Sequence, residues 1–137
     1  MNAAWNSVVT GFPVLLLQLA VTTGIFFAGL VIYFSLTPYR ELRLLREGNV
    51  AAATVLAGEM LALAVPLAAM LAHSANVPDI LLWGAVTIIL QLVAAAAVAV
   101  VLRQLPAAIE RGEVASALVV AAAQLSAGIL NAAAMSG

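Results

Sequence analysis

The stretch ILLWGAVTIILQLVAAAAVAVVL, from Ile80 to Leu102, carries no charge from end to end. A membrane-spanning helix needs about 20 mostly apolar residues to cross roughly 30 Å of hydrocarbon. This stretch is long enough, and its one amide is Gln91. Three others pass the same test. Val14 to Leu36 and Val114 to Met135 are uncharged, and Val50 to His73 is interrupted only by Glu59. Breakers separate them: Pro13 opens the first, Pro38 follows it, Pro78 opens the third, and Gly48 and Gly112 precede the second and fourth.

Composition points the same way. The 137 residues are 66% hydrophobic and 8% charged, with a mean hydropathy of +1.18, where a soluble domain has about 25% charged residues. A soluble globular domain, a nucleic-acid binder and a disordered chain are all excluded. A net charge of −1 gives no bulk field. The absence of Cys removes disulfides, thiolate metal sites and cysteine nucleophiles. A cleavable signal peptide would need a basic segment before a short apolar core, and MNAAWNSVVTGFP has no basic residue. The first span is therefore expected to be an uncleaved helix. The fold class is all-α: a single integral membrane domain over residues 1–137 with four transmembrane helices.

All five basic residues lie in two loops. Arg40, Arg43 and Arg46 separate spans one and two, and Arg103 and Arg111 separate spans three and four. Basic loops stay cytoplasmic, so both termini are expected in the periplasm of a bacterial inner membrane. Trp5 and Trp83 then sit near the outer interface and Tyr39 near the inner one. Arg40, Arg43 and Arg46 recur every third residue among leucines, which suits either a short interfacial helix holding anionic headgroups or a solvated helical turn.

Sliding the chain by 64 residues lays span one on span three and span two on span four without a gap. Gly48-Asn49-Val50-Ala51 then falls on Gly112-Glu113-Val114-Ala115. The expected architecture is two parallel-repeat helical hairpins, at about 14–74 and 79–137. Asn49, Glu113 and Asp79 each stand where a helix begins, and each is read as a cap.

Each span also carries a stripe of small and polar residues at 3–4 spacing, the pattern by which membrane helices pack. Gln18 lies on the first stripe, Glu59 on the second, Gln91 on the third, Gln124 and Asn131 on the fourth. Glu59 is the one ionisable group well inside, about 13 Å from the start of its helix at 1.5 Å per residue. A charge there costs about 2.5–3.5 kcal/mol, so its carboxyl must stay protonated or find donors. Gln124 is the first expected partner and Gln91 the second. A proton or cation site is one reading of Glu59. A helix-bonding neutral acid is the other, favoured because no second acid, His or Arg shares its depth. Pro66, further along the same span, is expected to kink it and free a carbonyl.

No catalytic constellation is present: there is no glycine-rich phosphate loop, no HExxH, and one His, His73. His73 has Asp79 close by in sequence, an exposed pair rather than a metal site. The expectation is a non-enzyme without cofactor or metal.

Four segments carry a resemblance. They are Arg46–Ala53 (REGNVAAA), Asp79–Gly84 (DILLWG) with Gln91 beyond it, Ile109–Ala115 (IERGEVA) and Gly128–Met135 (GILNAAAM). Together they are similar to a bacterial inner-membrane family known as domain of unknown function 350, over nearly all the chain after about Val14. The resemblance implies a small polytopic inner-membrane protein without a settled activity. Through relatives that occur beside phage-shock-like and ATP-grasp proteins, it implies a link to envelope stress. It also implies a small residue where Glu59 stands. The expected function is an oligomeric structural or interaction component, with the lipid bilayer, further copies of the chain and other envelope proteins as partners. The alternative is an ion or proton channel or transporter, formed between subunits and using Glu59.

Overall fold

The computed structural model describes residues Met1–Gly137 and consists of six helices without a strand. They are α1 (Asn2–Leu36), α2 (Glu41–Arg46), α3 (Val50–His73), α4 (Val77–Val101), α5 (Leu105–Glu110) and α6 (Val114–Ser136). The four long helices are each long and apolar enough to cross a membrane. Short α2 and α5 fold under the bundle at the end that carries every Arg, called here the basic end.

Two helix starts differ from the sequence expectation. Helix α1 begins at Asn2 and carries Pro13 inside it. A proline removes one bond of the ladder, and here the helix continues on both sides of it. Helix α4 begins at Val77 and is capped by Asn76, whose side chain accepts from the Asp79 N–H at 3.0 Å. Asp79 is thus a first-turn acid beside the positive end of the helix dipole, not the cap.

The same turn occurs twice, 64 residues apart. Residues 41–46 and 105–110 are helical, Gly48 and Gly112 follow with φ of 78° and 79°, and α3 and α6 start two residues later. Positive φ at these two positions is the left-handed conformation that glycine adopts without a Cβ penalty. The caps then diverge. Asn49 accepts from the Ala52 N–H at 2.9 Å, as expected, and its Nδ2 donates to the Ile109 carbonyl at 2.8 Å, tying the two turns together. Glu113 makes no cap bond; its carboxylate is taken by Arg111 at 2.7 Å and by the Ser116 hydroxyl at 3.3 Å.

Helices α3 and α6 form the core. Gly58 faces Ala121 so closely that an added Cβ would lie 2.6 Å from the Ala121 Cα. Gly128 faces Ala62, where a Cβ would lie 2.8 Å from the Ala62 Cα and closer still to its carbonyl oxygen. That carbonyl is the one Pro66 leaves without a ladder donor, being four residues earlier. A glycine Cα–H packed against it offers a weak substitute bond. At the basic end, Leu44 of α2 and Ile109 of α5 bury against Ala52 and Val55 of α3 and Val120 of α6. At the far end Leu67, Met70 and Ile80 pack with Val21, Ile25 and Phe26. Helix α1 joins the bundle only from Gln18 onward; every residue before it is exposed.

Candidate functional site

Glu59 is fully buried on α3. Its Oε2 accepts a hydrogen bond from Gln91 Nε2 of α4 at 3.4 Å, and Oε1 has no partner. Gln91, the second expected partner, therefore takes the place expected for Gln124. The same Nε2 also reaches the Gln124 backbone carbonyl of α6 at 3.3 Å. Gln124 turns its side chain toward α1, where Nε2 meets the Tyr33 hydroxyl at 3.5 Å, leaving its own Oε1 unpartnered. One polar chain thus links all four long helices. Its bonds lie at the long end of the hydrogen-bond range, where each is individually weak.

The chain leads on to a residue that the sequence reading passed over. Glu41 of α2 is only 2% exposed, and neither carboxylate oxygen has a partner of good hydrogen-bond geometry. The Tyr33 and Tyr39 hydroxyls stand nearby. Burial pushes the Glu41 carboxyl up to about 7, against the smaller downward pull of the Tyr33 and then the Tyr39 hydroxyl. Burial, and then the Glu41 charge, raise the Tyr39 phenol above its usual range in turn. A signal for Glu41 existed in the sequence. If Arg40, Arg43 and Arg46 face outward on a helix, Glu41 and Leu44, three apart, must share the inward face. Both are buried. Tyr33 was passed over too: it shares the buried face of α1 with Thr22 and Gly29, while its neighbour Ile32 is exposed.

The remaining candidate residues do not join this chain. Gln18 is half-buried on α1, with no bond from its side chain. Asn131 is half-buried with an unpartnered Nδ2, and it lines a far-end cavity of about 380 Å³ together with His73 and Asp79. His73 and Asp79 do not pair; His73 Nδ1 bonds the Ala69 carbonyl at 2.8 Å, one turn back on its own helix. All five Arg are exposed. Arg43 pairs with Glu47 at 3.6 Å and Arg111 with Glu113 at 2.7 Å, while Arg40, Arg46 and Arg103 have no acidic partner.

Four apolar helices around a buried polar chain, closed at one end by two short helices, define a multi-pass integral membrane protein. Its family follows from comparison. The family described as Domain of Unknown Function (DUF350) matches residues 7–135, and the chain belongs to that family. It is similar to the UPF0719 inner membrane protein YjfL of Escherichia coli K12, at 31% identity over 106 residues, covering 77% of this chain and 80% of that protein. The YjfL protein of Escherichia coli O157:H7 matches with the same identity and coverage. No solved structure matches. The chain is a multi-pass inner-membrane protein of a family whose activity is not known.

Proposed function

We propose that this protein is a non-catalytic, oligomeric component of the inner membrane that serves envelope homeostasis, assembled through α1. The observation that carries this reading is the unpacked first half of α1. At 1.5 Å per residue this helix is about 52 Å long, well beyond the roughly 30 Å of a hydrocarbon core. Trp5, Phe12 and Leu19 recur every seven residues, with Val8 and Leu15 between them, and all five are exposed. Such a heptad seam suits a like helix of a second copy. The small-residue stripes of α3 and α6 are already spent inside the subunit. In this reading the basic loops face the cytoplasm and both termini the periplasm, and the two halves are a parallel duplication.

The chain has no native Cys, so single-cysteine crosslinking tests the assembly cleanly. Phe12→Cys is expected to form a disulfide-linked dimer in oxidised membranes, and Leu130→Cys, exposed on α6, is expected not to. A strict monomer in mild detergent together with no crosslink from Phe12→Cys overturns the reading.

A second reading, ion or proton movement using Glu59, has one observation in its favour. The run Glu59–Gln91–Gln124–Tyr33 ends beside a second buried acid, Glu41. Proton flux into liposomes that Glu59→Gln abolishes, with assembly intact, would establish it. No flux from the wild-type chain at any pH would remove it.

A further inference from the structure

Past Gln91, its last buried residue, the basic-end half of α4 is only partly covered, with Val98 and then Leu102 still packed against the basic-end core. A cleft of about 480 Å³ opens between this segment, the end of α1 and helix α5. Its walls are mostly apolar; Leu92, Ala96 and Ala99 form the α4 side, and Gln124 stands at its deep end. The α4 residues that line it, from Leu92 to Val100, span about 12 Å of helix at 1.5 Å per residue, most of one leaflet of a 30 Å hydrocarbon core. The cleft is therefore about one leaflet deep, and it lies within the range of ligand-sized pockets.

At its mouth the cleft meets a second, more open cavity of about 680 Å³ on the basic end. The two share Arg103 and Leu105 as a common wall. The outer cavity holds polar groups: Gln104, Ser116 and the paired Arg111 and Glu113. Because Glu113 is held by Arg111, the one unengaged charge between the two cavities is the Arg103 guanidinium. An apolar slot one leaflet deep beneath an unpaired cation has the polarity profile of a phospholipid. An acyl chain fits the slot, and a phosphate fits the fork of Arg103.

We propose that this cleft is a binding site for one anionic phospholipid, its acyl chain lying between α1 and α4 and its phosphate on Arg103. The assignment does not depend on assembly through α1. It differs from general attraction of basic loops to anionic headgroups, because Arg40, which precedes α2, and Arg43 and Arg46 on it do not line the cleft.

The test is native mass spectrometry of the protein in mild detergent, titrated with phosphatidylglycerol and, separately, with phosphatidylcholine of the same chains. The wild type is expected to favour phosphatidylglycerol by about fivefold, the effect of one basic residue at an anionic headgroup. Arg103→Gln is expected to erase that preference and Arg43→Gln to leave it unchanged. Ala99→Phe, which fills the slot from α4, is expected to lose binding of both lipids while keeping helicity and a single elution peak. Equal binding of the two lipids by the wild type overturns the site. So does an Arg103→Gln protein that keeps the preference, or equal loss from Arg43→Gln, which would mean surface charge alone. Should Ala99→Phe fail to fold, the Arg103 and Arg43 pair still decides.

Discussion

The α3/α6 seam and the first half of α1 are both apolar helix surface, yet one is closed to a carbon atom and the other is bare. On the seam, backbone meets backbone at Gly58 and Gly128. On α1, Gly11 and Gly24 have nothing within 4 Å of where a Cβ would stand. Lipid tails are as apolar as leucine, so burial of apolar area does not drive membrane helices together. Within this subunit close approach does, through small residues on both α3 and α6. The contrast teaches that abundant Leu and Val mark the lipid-facing or partner-facing surface here, and Ala and Gly mark the core.

Gly128→Ala attacks the contrast at its strongest point and has the largest expected effect. The added methyl meets the Ala62 carbonyl and Cα, which are backbone and cannot step aside. The loss is expected at about 3 kcal/mol, the upper part of the range for overpacking, read as a lower melting temperature in detergent. The same change at Gly84 should cost less, because it meets only side-chain atoms of Ile25, Cδ1 at 2.7 Å and Cγ2 at 3.1 Å, and no backbone. Equal losses at the two sites would mean that the seam is no tighter than the rest.

Asn49→Ala comes next. It removes both the α3 cap and the bond to the Ile109 carbonyl that ties the two short helices together. A loss of about 1–2 kcal/mol is expected. Its counterpart Glu113 makes only exposed contacts, so Glu113→Ala should change the melting temperature far less. The comparison fails if the two lose alike.

Inside the bundle, Glu59→Ala should cost on the order of 0.6–2 kcal/mol of helix association by removing the acceptor of the Gln91 bond. Glu59→Gln keeps an acceptor at nearly the same shape and should leave melting close to wild type. A Gln variant that melts as low as the Ala variant would show that the carboxyl does more than accept one bond.

Glu41 carries a pH dependence whose sign follows from burial. Its folded-state value of about 7 lies above its ordinary 4.5. The folded protein therefore binds more protons between these values than the unfolded chain, and stability falls as pH rises through that window. The melting temperature is expected to decline from about pH 5 to pH 8. Glu41→Gln, which stays neutral, should flatten that decline and match the wild type at low pH. A wild-type profile that is flat, or one that rises, removes this role for Glu41.

Most of the bundle was legible because its spans obey a single rule of length and apolarity, and α3 begins and ends where the sequence places it, at Val50 and His73. The six-residue helices were less so, since a stretch that short carries no full period of apolar residues. The seam residues Ala52, Val55, Glu59, Ala62 and Pro66 share a spacing that reads directly as one face, and all five are buried. The partner of Glu59 was not legible. Gln91 and Gln124 lie at similar depth on neighbouring helices, and only the rotation of α4 against α6 decides which amide points at the carboxyl. The run of α1 past Pro13 was hidden for a different reason. A proline reads as a helix start when the expected partner of the helix is a bilayer of fixed thickness, and α1 is longer than that bilayer.

Gly24→Ala has the smallest expected effect and the opposite sign. Gly24 lies in the middle of α1, is exposed, and has free space where a Cβ would go. Alanine in its place restricts the unfolded chain and adds no clash, which stabilises a helix by roughly 0.5–1 kcal/mol. Gly24 is also off the Trp5–Val8–Phe12–Leu15–Leu19 seam, so dimer crosslinking through Phe12→Cys should be unchanged in the double variant. A rise of the melting temperature with crosslinking intact is the expected result. A fall, or a loss of the crosslink, would mean that another helix approaches α1 closely at Gly24. The exposed side of α1 would then hold a second tight seam, closed by a partner, and the contrast with the α3/α6 seam would weaken.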